Sequence, residues 1–410
     1  MARRNRALPA VGGRASADSW RSGGSDDAPE RPGRRAEDER SLSVSNRPLR
    51  IAMVAPPWFE LPPRGYGGIE AMCADLTDAL VDRGHDVTLI AAGRNGTRAH
   101  RMLRTYDLPQ GSRLGEPLPE VLHAAATARL LEDLDVDVVH DHTLAGPLLA
   151  RGHRVPTVVT THGPLDGEPG DYYRHLGDSV HLVAISQSQR SQAPDLNWAG
   201  TVHNALRASD FPYRRDKEDW VFFLGRCTPD KGMHLAIDAA VAAGRTIKLA
   251  AKCNEPAERA YFEAEIEPRL GPGVEWLGEV TGDRKKRLLA RARCLVFPLQ
   301  WEEPFGMVMI EAMVCGTPVV TLRRGSVPEV VVDGVTGLVR EDAADLPDAI
   351  EQVSAIDPRA CRDHVIDHFQ PETMAAGYEA VYRKVLEART PAATAPLSSP
   401  PAQRDMRPVA

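Results

Sequence analysis

The chain has no surplus of positive charge: among 410 residues, 50 are Lys or Arg and 57 are Asp or Glu, for a net charge of -7. A protein that grips nucleic acid without sequence preference needs a basic surface to displace counterions, so that class is excluded. Cysteine is scarce, with six residues at 73, 227, 253, 294, 315 and 361 and no C-x-x-C pair. Neither a disulfide scaffold nor a cysteine zinc site is expected, and the thiols suit the reducing cytosol. No apolar run approaches the roughly 18 residues of a membrane span. Arg3 and Arg4 are not followed by the apolar stretch of a secretory leader. The 42% of hydrophobic residues suffices for buried cores, and the length suits two or three domains.

Residues 1–48 hold ten Arg, seven Asp or Glu and almost no aliphatics, and the last twenty or so repeat this with Pro, Ala and Ser. Such segments bury too little to offset their ordering entropy, so both ends are expected to be disordered tails. From Leu49 short apolar runs alternate with helical periodicity. Strands are predicted at 49–55, 86–92, 136–140, 157–161 and 181–185. After a polar stretch, a second series follows at 220–225, 246–251, 274–277, 294–298 and 318–322, with helices near 231–243, 256–269, 282–292 and 306–315. This alternation means βαβ units and doubly wound parallel sheets: an α/β chain with two Rossmann-like domains, at 49–205 and 206–370. An amphipathic helix, Glu372 to Ala388, follows.

In open α/β sheets ligands bind beyond the carboxyl ends of the strands. After the strand at 220–225 stand Arg226, Lys231 and Gly232. Arg forks onto two phosphate oxygens, Lys adds a point charge, and Gly lets the backbone approach. After the strand at 294–298 come Glu303, Phe305, Gly306, Met307 and Val308, then a helix bearing Glu311. The free amides of a helix start favour an anion. A carboxylate such as Glu311 in an otherwise apolar helix needs partners, which the vicinal hydroxyls of a polyol supply.

The segment EEPFGMVMIEAMVCGTPVV, with Glu303 and Glu311 eight apart, resembles the donor-site segment of glycosyltransferase family 4. GRCTPDKG, VPEVVVDGVTGLV and GYGGIEAMCADLTDALVDRGHDVTLIAAG resemble that family too, in its order, over about residues 49 to 388. The resemblance implies a GT-B architecture, in which two Rossmann-like domains face across a cleft. The second would bind a nucleotide-diphosphate sugar, the first an acceptor, with retention of anomeric configuration and no metal or other cofactor. It places Arg226 and Lys231 on the diphosphate, Glu311 on the ribose hydroxyls and Glu303 on the donor sugar. The amides of Phe305, Gly306, Met307 and Val308 would meet sugar hydroxyls and phosphate. Gly67 and Gly68 match a mobile glycine loop, and His162 a histidine near the reacting sugar. The final helix matches one that crosses back to the first domain.

Asn204-Ala205-Leu206-Arg207 lacks the glycine and acid common in the family's linker, and Lys252-Cys253-Asn254-Glu255-Pro256 lacks its paired glycines, so UDP, GDP and ADP donors stay open. Lipid, small glycoside, glycan and natural-product acceptors all stay open, as does the oligomeric state. Asp133, Asp135 and Asp137 form D-x-D patterns but lead into a strand's amino end, and read as solvated residues. His140-Asp141-His142 has no third ligand at a recognisable spacing, so no metal site is expected, though His142 could line the cleft. An NAD enzyme is disfavoured, because Gly65-Tyr66-Gly67-Gly68 comes ten residues after Ala55 and lacks the third glycine. A sugar-nucleotide epimerase and a non-catalytic sugar-nucleotide or glycan binder are the nearer rivals. Arg284 to Arg287 is the one candidate for peripheral contact with an anionic membrane, and reads first as a solvated helix face.

Overall fold

The computed structural model describes residues 47–389; the two expected tails lie outside the described residues, apart from Arg47 and Pro48. Two parallel sheets are built in succession. The first holds β1 (Arg50–Val54), β2 (Asp86–Ala92), β3 (Arg101–Tyr106), β4 (Val138–Asp141), β5 (Thr157–Thr160), β6 (His181–Ala184) and β7 (Trp198–Thr201), in the order β3-β2-β1-β4-β5-β6-β7. The second holds β8 (Trp220–Arg226), β9 (Thr246–Lys252), β10 (Val274–Trp276), β11 (Leu295–Phe297), β12 (Val319–Leu322) and β13 (Gly337–Arg340), in the order β10-β9-β8-β11-β12-β13. The order reverses direction at β1/β4 and at β8/β11, so each sheet has a crevice at the carboxyl ends of those strands.

Alternation along β1 serves two layers. Ile51 and Met53 pack with Met72, Leu76 and Leu80 of the Gly68–Asp82 helix, while Ala52 and Val54 pack with Ile90, Val136 and Val139 on the other face. The second sheet has one large core that includes Phe222, Phe297, Ile310 and Val320. The Pro371–Arg389 helix then returns to the first core. Met374, Tyr378, Val381, Tyr382 and Val385, at helical spacing, are buried there.

The strands at β3, β7 and β13 went unpredicted. All three lie at sheet edges, where RMLRTY, WAGT and GLVR are short, carry Arg or Gly, and lack the continuous apolar run of a central strand. The helix expected over 256–269 is α-helical only through Pro256–Tyr261, then widens and tightens before Leu270. Pro268 supplies no N–H to continue the ladder. Asp137 is not a solvated residue as expected. It is buried, accepts the amide of Arg50 at 2.8 Å and pairs with Arg47 and Arg50, which together hold its carboxyl well below the usual range despite the opposing effect of burial. Among the described residues no helix is long and apolar enough to cross a membrane.

Candidate active site

The carboxyl ends of β8, β9 and β11 and the loop after β1 meet around a cavity of about 350 Å³. Gly67, Gly68, Arg226, Lys231, Glu303, Gly306, Met307, Val308 and Glu311 all line it. A neighbouring cavity of about 270 Å³ takes in His162 and Phe305, and shares Gly68, Glu303, Gly306 and Met307 with the first. Every residue that the resemblance assigned to the donor site therefore borders one of two adjoining hollows, whereas Gly232 lines neither. Phe305 is 1% exposed, its ring packed against His203 and Phe369.

Each lysine and arginine of the larger cavity leans on a carboxylate. Lys231 Nζ lies 2.5 Å from Glu303 Oε2 and 4.3 Å from the centre of the Trp301 ring, whose Nε1–H donates to the same Glu303 oxygen at 3.0 Å. Arg226 donates through Nε to Glu258 at 2.9 Å and through Nη2 to Glu255 at 3.0 Å. Glu258 is 1% exposed and also accepts the amides of Asn254 and Glu255. Burial alone would raise its carboxyl, but those amides and Arg226 outweigh burial and hold it below the usual range. Lys252 Nζ donates to Glu255 and stands 5.3 Å from the ring centre of Tyr66, which belongs to the glycine loop of the first sheet.

Lys285 Nζ donates to Glu311 at 2.7 Å. Lys285 belongs to the basic run expected to be a solvated face, but its side chain is only 25% exposed and pairs with Glu311. The Gly282–Arg291 helix turns Lys285 into the cavity, and Lys286 stands 4.9 Å from the ring centre of Phe211. The partner of Glu311 was thus outside the motif that identified Glu311. Nor did the sequence expose Glu258, which a capping box with Glu255 fixes beneath Arg226.

Backbone shape is set by two glycines. Gly306, with φ +78°, turns the chain into the Met307–Val314 helix, and a Cβ there would lie 2.6 Å from the Met309 Cε. Gly325, with φ +53°, lies against the backbone of Glu302 and Glu303. Ser326 then donates Oγ–H to the Phe305 carbonyl at 2.9 Å and its amide to the Glu303 carbonyl at 2.9 Å. Ser326, just before the Val327–Val330 helix, therefore ties down the Glu303–Phe305 turn.

The smaller cavity is backed by histidines. His142 Nδ1 lies 3.0 Å from His162 Nε2. His142 sits behind His162 and is buried, so it does not line the cleft. Burial pushes the His162 ring down to about 4 and keeps it neutral at neutral pH. Across the cleft Glu329 accepts the amides of Gln187 and Ser188 at 2.8 and 2.7 Å and lies 3.0 Å from His203 Nε2, tying the second sheet's loop to the first. Among the described residues no cluster of three or more metal-ligating side chains occurs.

A cavity with cations at two strand ends, a helix start and two carboxylates is built for an anion flanked by hydroxyls. Residues 66–207 match the family described as Glycosyltransferase Family 4, and residues 218–355 match that described as Glycosyl transferases group 1. A Mycobacterium tuberculosis protein named glycogen synthase is 27% identical over 397 residues, covering 82% of this chain and 94% of that one. The crystal structure of AviGT4, a glycosyltransferase involved in avilamycin A biosynthesis, superposes with a TM-score of 0.63 at 29% identity, covering 83% of this chain and 98% of that one. The Anabaena protein Alr3699/HepE, solved in complex with UDP-glucose, shares the fold with a TM-score of 0.62 at 19% identity, covering 83% and 99% of the two chains. The chain belongs to the family 4 glycosyltransferases and is an enzyme of GT-B architecture.

Proposed function

We propose that this enzyme moves a hexose from a nucleotide-diphosphate sugar to an acceptor hydroxyl with retention of anomeric configuration, and needs no metal. The observation that carries the reading is the convergence of Arg226, Lys231, Glu303 and Glu311 on one cavity. The UDP-glucose bound by the structurally similar Anabaena protein supports a donor of this class.

The diphosphate lies against Arg226, Lys231 and the first amides of the Met307–Val314 helix, which have no carbonyl ahead of them to bond. Glu311 accepts hydroxyls of the ribose. Glu303, released from Lys231 by the incoming phosphate, accepts hydroxyls of the sugar. The acceptor oxygen bonds to the anomeric carbon from the face that the phosphate oxygen leaves, and the acceptor's proton passes to that oxygen. Charge grows on the departing diphosphate, so Arg226, Lys231 and the helix amides bind the transition state more tightly than the ground state. In this reading Gly67 and Gly68 close over the phosphates and His162 faces the sugar.

Proton NMR of the product formed from an α-linked donor tests the stereochemistry. An α-linked product is expected; a β-linked product contradicts retention. Turnover unchanged in saturating EDTA is expected. Loss on chelation, restored by manganese or magnesium, contradicts the metal-free reaction.

A further inference from the structure

We propose that His142 is a positioning residue for His162: the Nδ1–H of His142 holds the Nε2 of His162, so that His162 presents its own Nδ1–H to the sugar end of the cleft as a fixed donor. The proposal rests on the donor reading above for the identity of the sugar, but the geometry of the histidine pair stands without it.

The pair arises from strand register. His140 lies beside Val158, and Asp141 beside Val159, so the residues just past β4 and β5 emerge next to each other. His142 is anchored by its amide to the Val54 carbonyl at 3.0 Å and is 4% exposed. The 3.0 Å contact between His142 Nδ1 and His162 Nε2 holds one proton. Burial keeps both rings neutral, so each ring carries one proton in all.

Which ring owns the shared proton follows from the atom left over. The Nε2 of His142 is buried without a partner among the described residues. If His162 donated, His142 would carry its own proton on that nitrogen, as a buried N–H with no acceptor. Orphaned buried donors are rarer than under-satisfied acceptors. If His142 donates, only a lone pair is orphaned. His162 must then carry its proton on Nδ1, and its ring borders the cavity that Gly68, Glu303 and Gly306 also line. A neutral ring in this form donates a hydrogen bond from a fixed direction and leaves the proton-acceptor role to the substrate.

The wall behind the pair is clamped by the returning helix. The His140 ring centre is 4.0 Å from that of His142. His140 is held by Tyr382 Oη at 2.7 Å and Thr160 Oγ1 at 2.8 Å, and Thr160 in turn lies 2.9 Å from Tyr378 Oη. His140 is thereby fixed against the His142 ring.

The test is nitrogen-15 NMR of histidine-labelled full-length protein, with the His162 signals assigned by their loss in His162→Gln. The wild type is expected to show His162 protonated on Nδ1; a wild-type His162 protonated on Nε2 overturns the proposal by itself. His142→Phe is expected to shift His162 toward the other tautomer and to lower kcat about 10- to 100-fold, the scale of a misdirected contact, with the donor KM little changed. His142→Asn places an amide N–H where the imidazole Nδ1–H stood and is expected to restore most of the turnover. An unchanged tautomer and unchanged kcat in His142→Phe overturn the proposal, as does an Asn variant as slow as the Phe variant with the wild-type melting temperature. If the wild type binds no nucleotide sugar, the donor reading fails, and the tautomer still decides the role of His142.

Discussion

Lys231 and Glu303 close on each other across the ends of β8 and β11, 2.5 Å apart and both largely withdrawn from water. Each is the other's partner in the cavity proposed to take a phosphate and a sugar. A ligand that brings its own anion to Lys231 and its own hydroxyls to Glu303 exchanges one set of charge-assisted bonds for another, without stripping either group bare. Lys231→Ala is expected to lower turnover about 10²–10³-fold, the usual cost of losing one transition-state donor. Release of nucleotide diphosphate reads this directly; near-normal turnover contradicts the role of Lys231.

Arg226 is aimed by Glu258. Without that carboxylate, the guanidinium keeps only the half-exposed Glu255, and the amides of Asn254 and Glu255 lose their acceptor. Glu258→Gln keeps an acceptor oxygen but no charge. It is expected to weaken donor binding by about 10- to 100-fold, the scale of losing roughly 1.5–3 kcal/mol for a hydrogen bond to a charged group. Calorimetric titration of the variant with the donor checks this, and unchanged affinity contradicts it.

The pH dependence of stability has opposed contributions. Burial raises the Glu70 carboxyl to about 7, against the amides of Glu70 and Phe59, and raises Asp141 to about 7 against its bonds from Thr143. The unfolded chain ionises these acids near pH 4, so their contribution is full below about pH 4 and is lost as pH rises to about 7. Burial also lowers His123 and His162 to about 4 and His140 to about 3. The unfolded chain takes up those protons below about pH 6.5, so that contribution is lost as pH falls from there. Glu70→Gln removes one of the raised acids. Relative to wild type, its melting temperature should be higher at pH 8 than at pH 5; an equal difference at both pH values contradicts the assignment.

Gly232 has φ +71°, and a Cβ there would run into the carbonyl oxygen of Pro298. That contact joins the β8 loop to the β11 loop beside Lys231. Gly232→Ala is expected to destabilise the protein by about 1–3 kcal/mol or more, the scale of a strained backbone site. Thermal melts check this, and a wild-type melting temperature contradicts it.

Much of the site could be read from the chain because its pieces are local. Glu303 to Glu311 lie on one turn and one helix, and Arg226 to Gly232 on one loop, so spacing alone carries them. What stayed hidden depends on pairing across the fold. Lys285 meets Glu311 from a different helix, Asp137 meets Arg47 from 90 residues away, and Tyr382 meets His140 from 242 residues away. Nothing in a single run of residues distinguishes Lys285 from the exposed Arg284 beside it. The central strands were legible because both their faces are buried; the edge strands β3 and β7 were not, because no residue of β3 and only Ala199 of β7 is buried.

The central claim is that the cavity at the ends of β8 and β11 binds a nucleotide-diphosphate sugar. The most direct measurement is the melting temperature of the wild type and of Glu311→Gln against a panel of UDP-, GDP- and ADP-sugars. A ligand that binds only the folded chain at 100 times its Kd adds about 2.7 kcal/mol of stability. A clear rise with at least one donor, diminished in Glu311→Gln, is expected. No rise with any of them, or a rise that Glu311→Gln leaves untouched, contradicts the account.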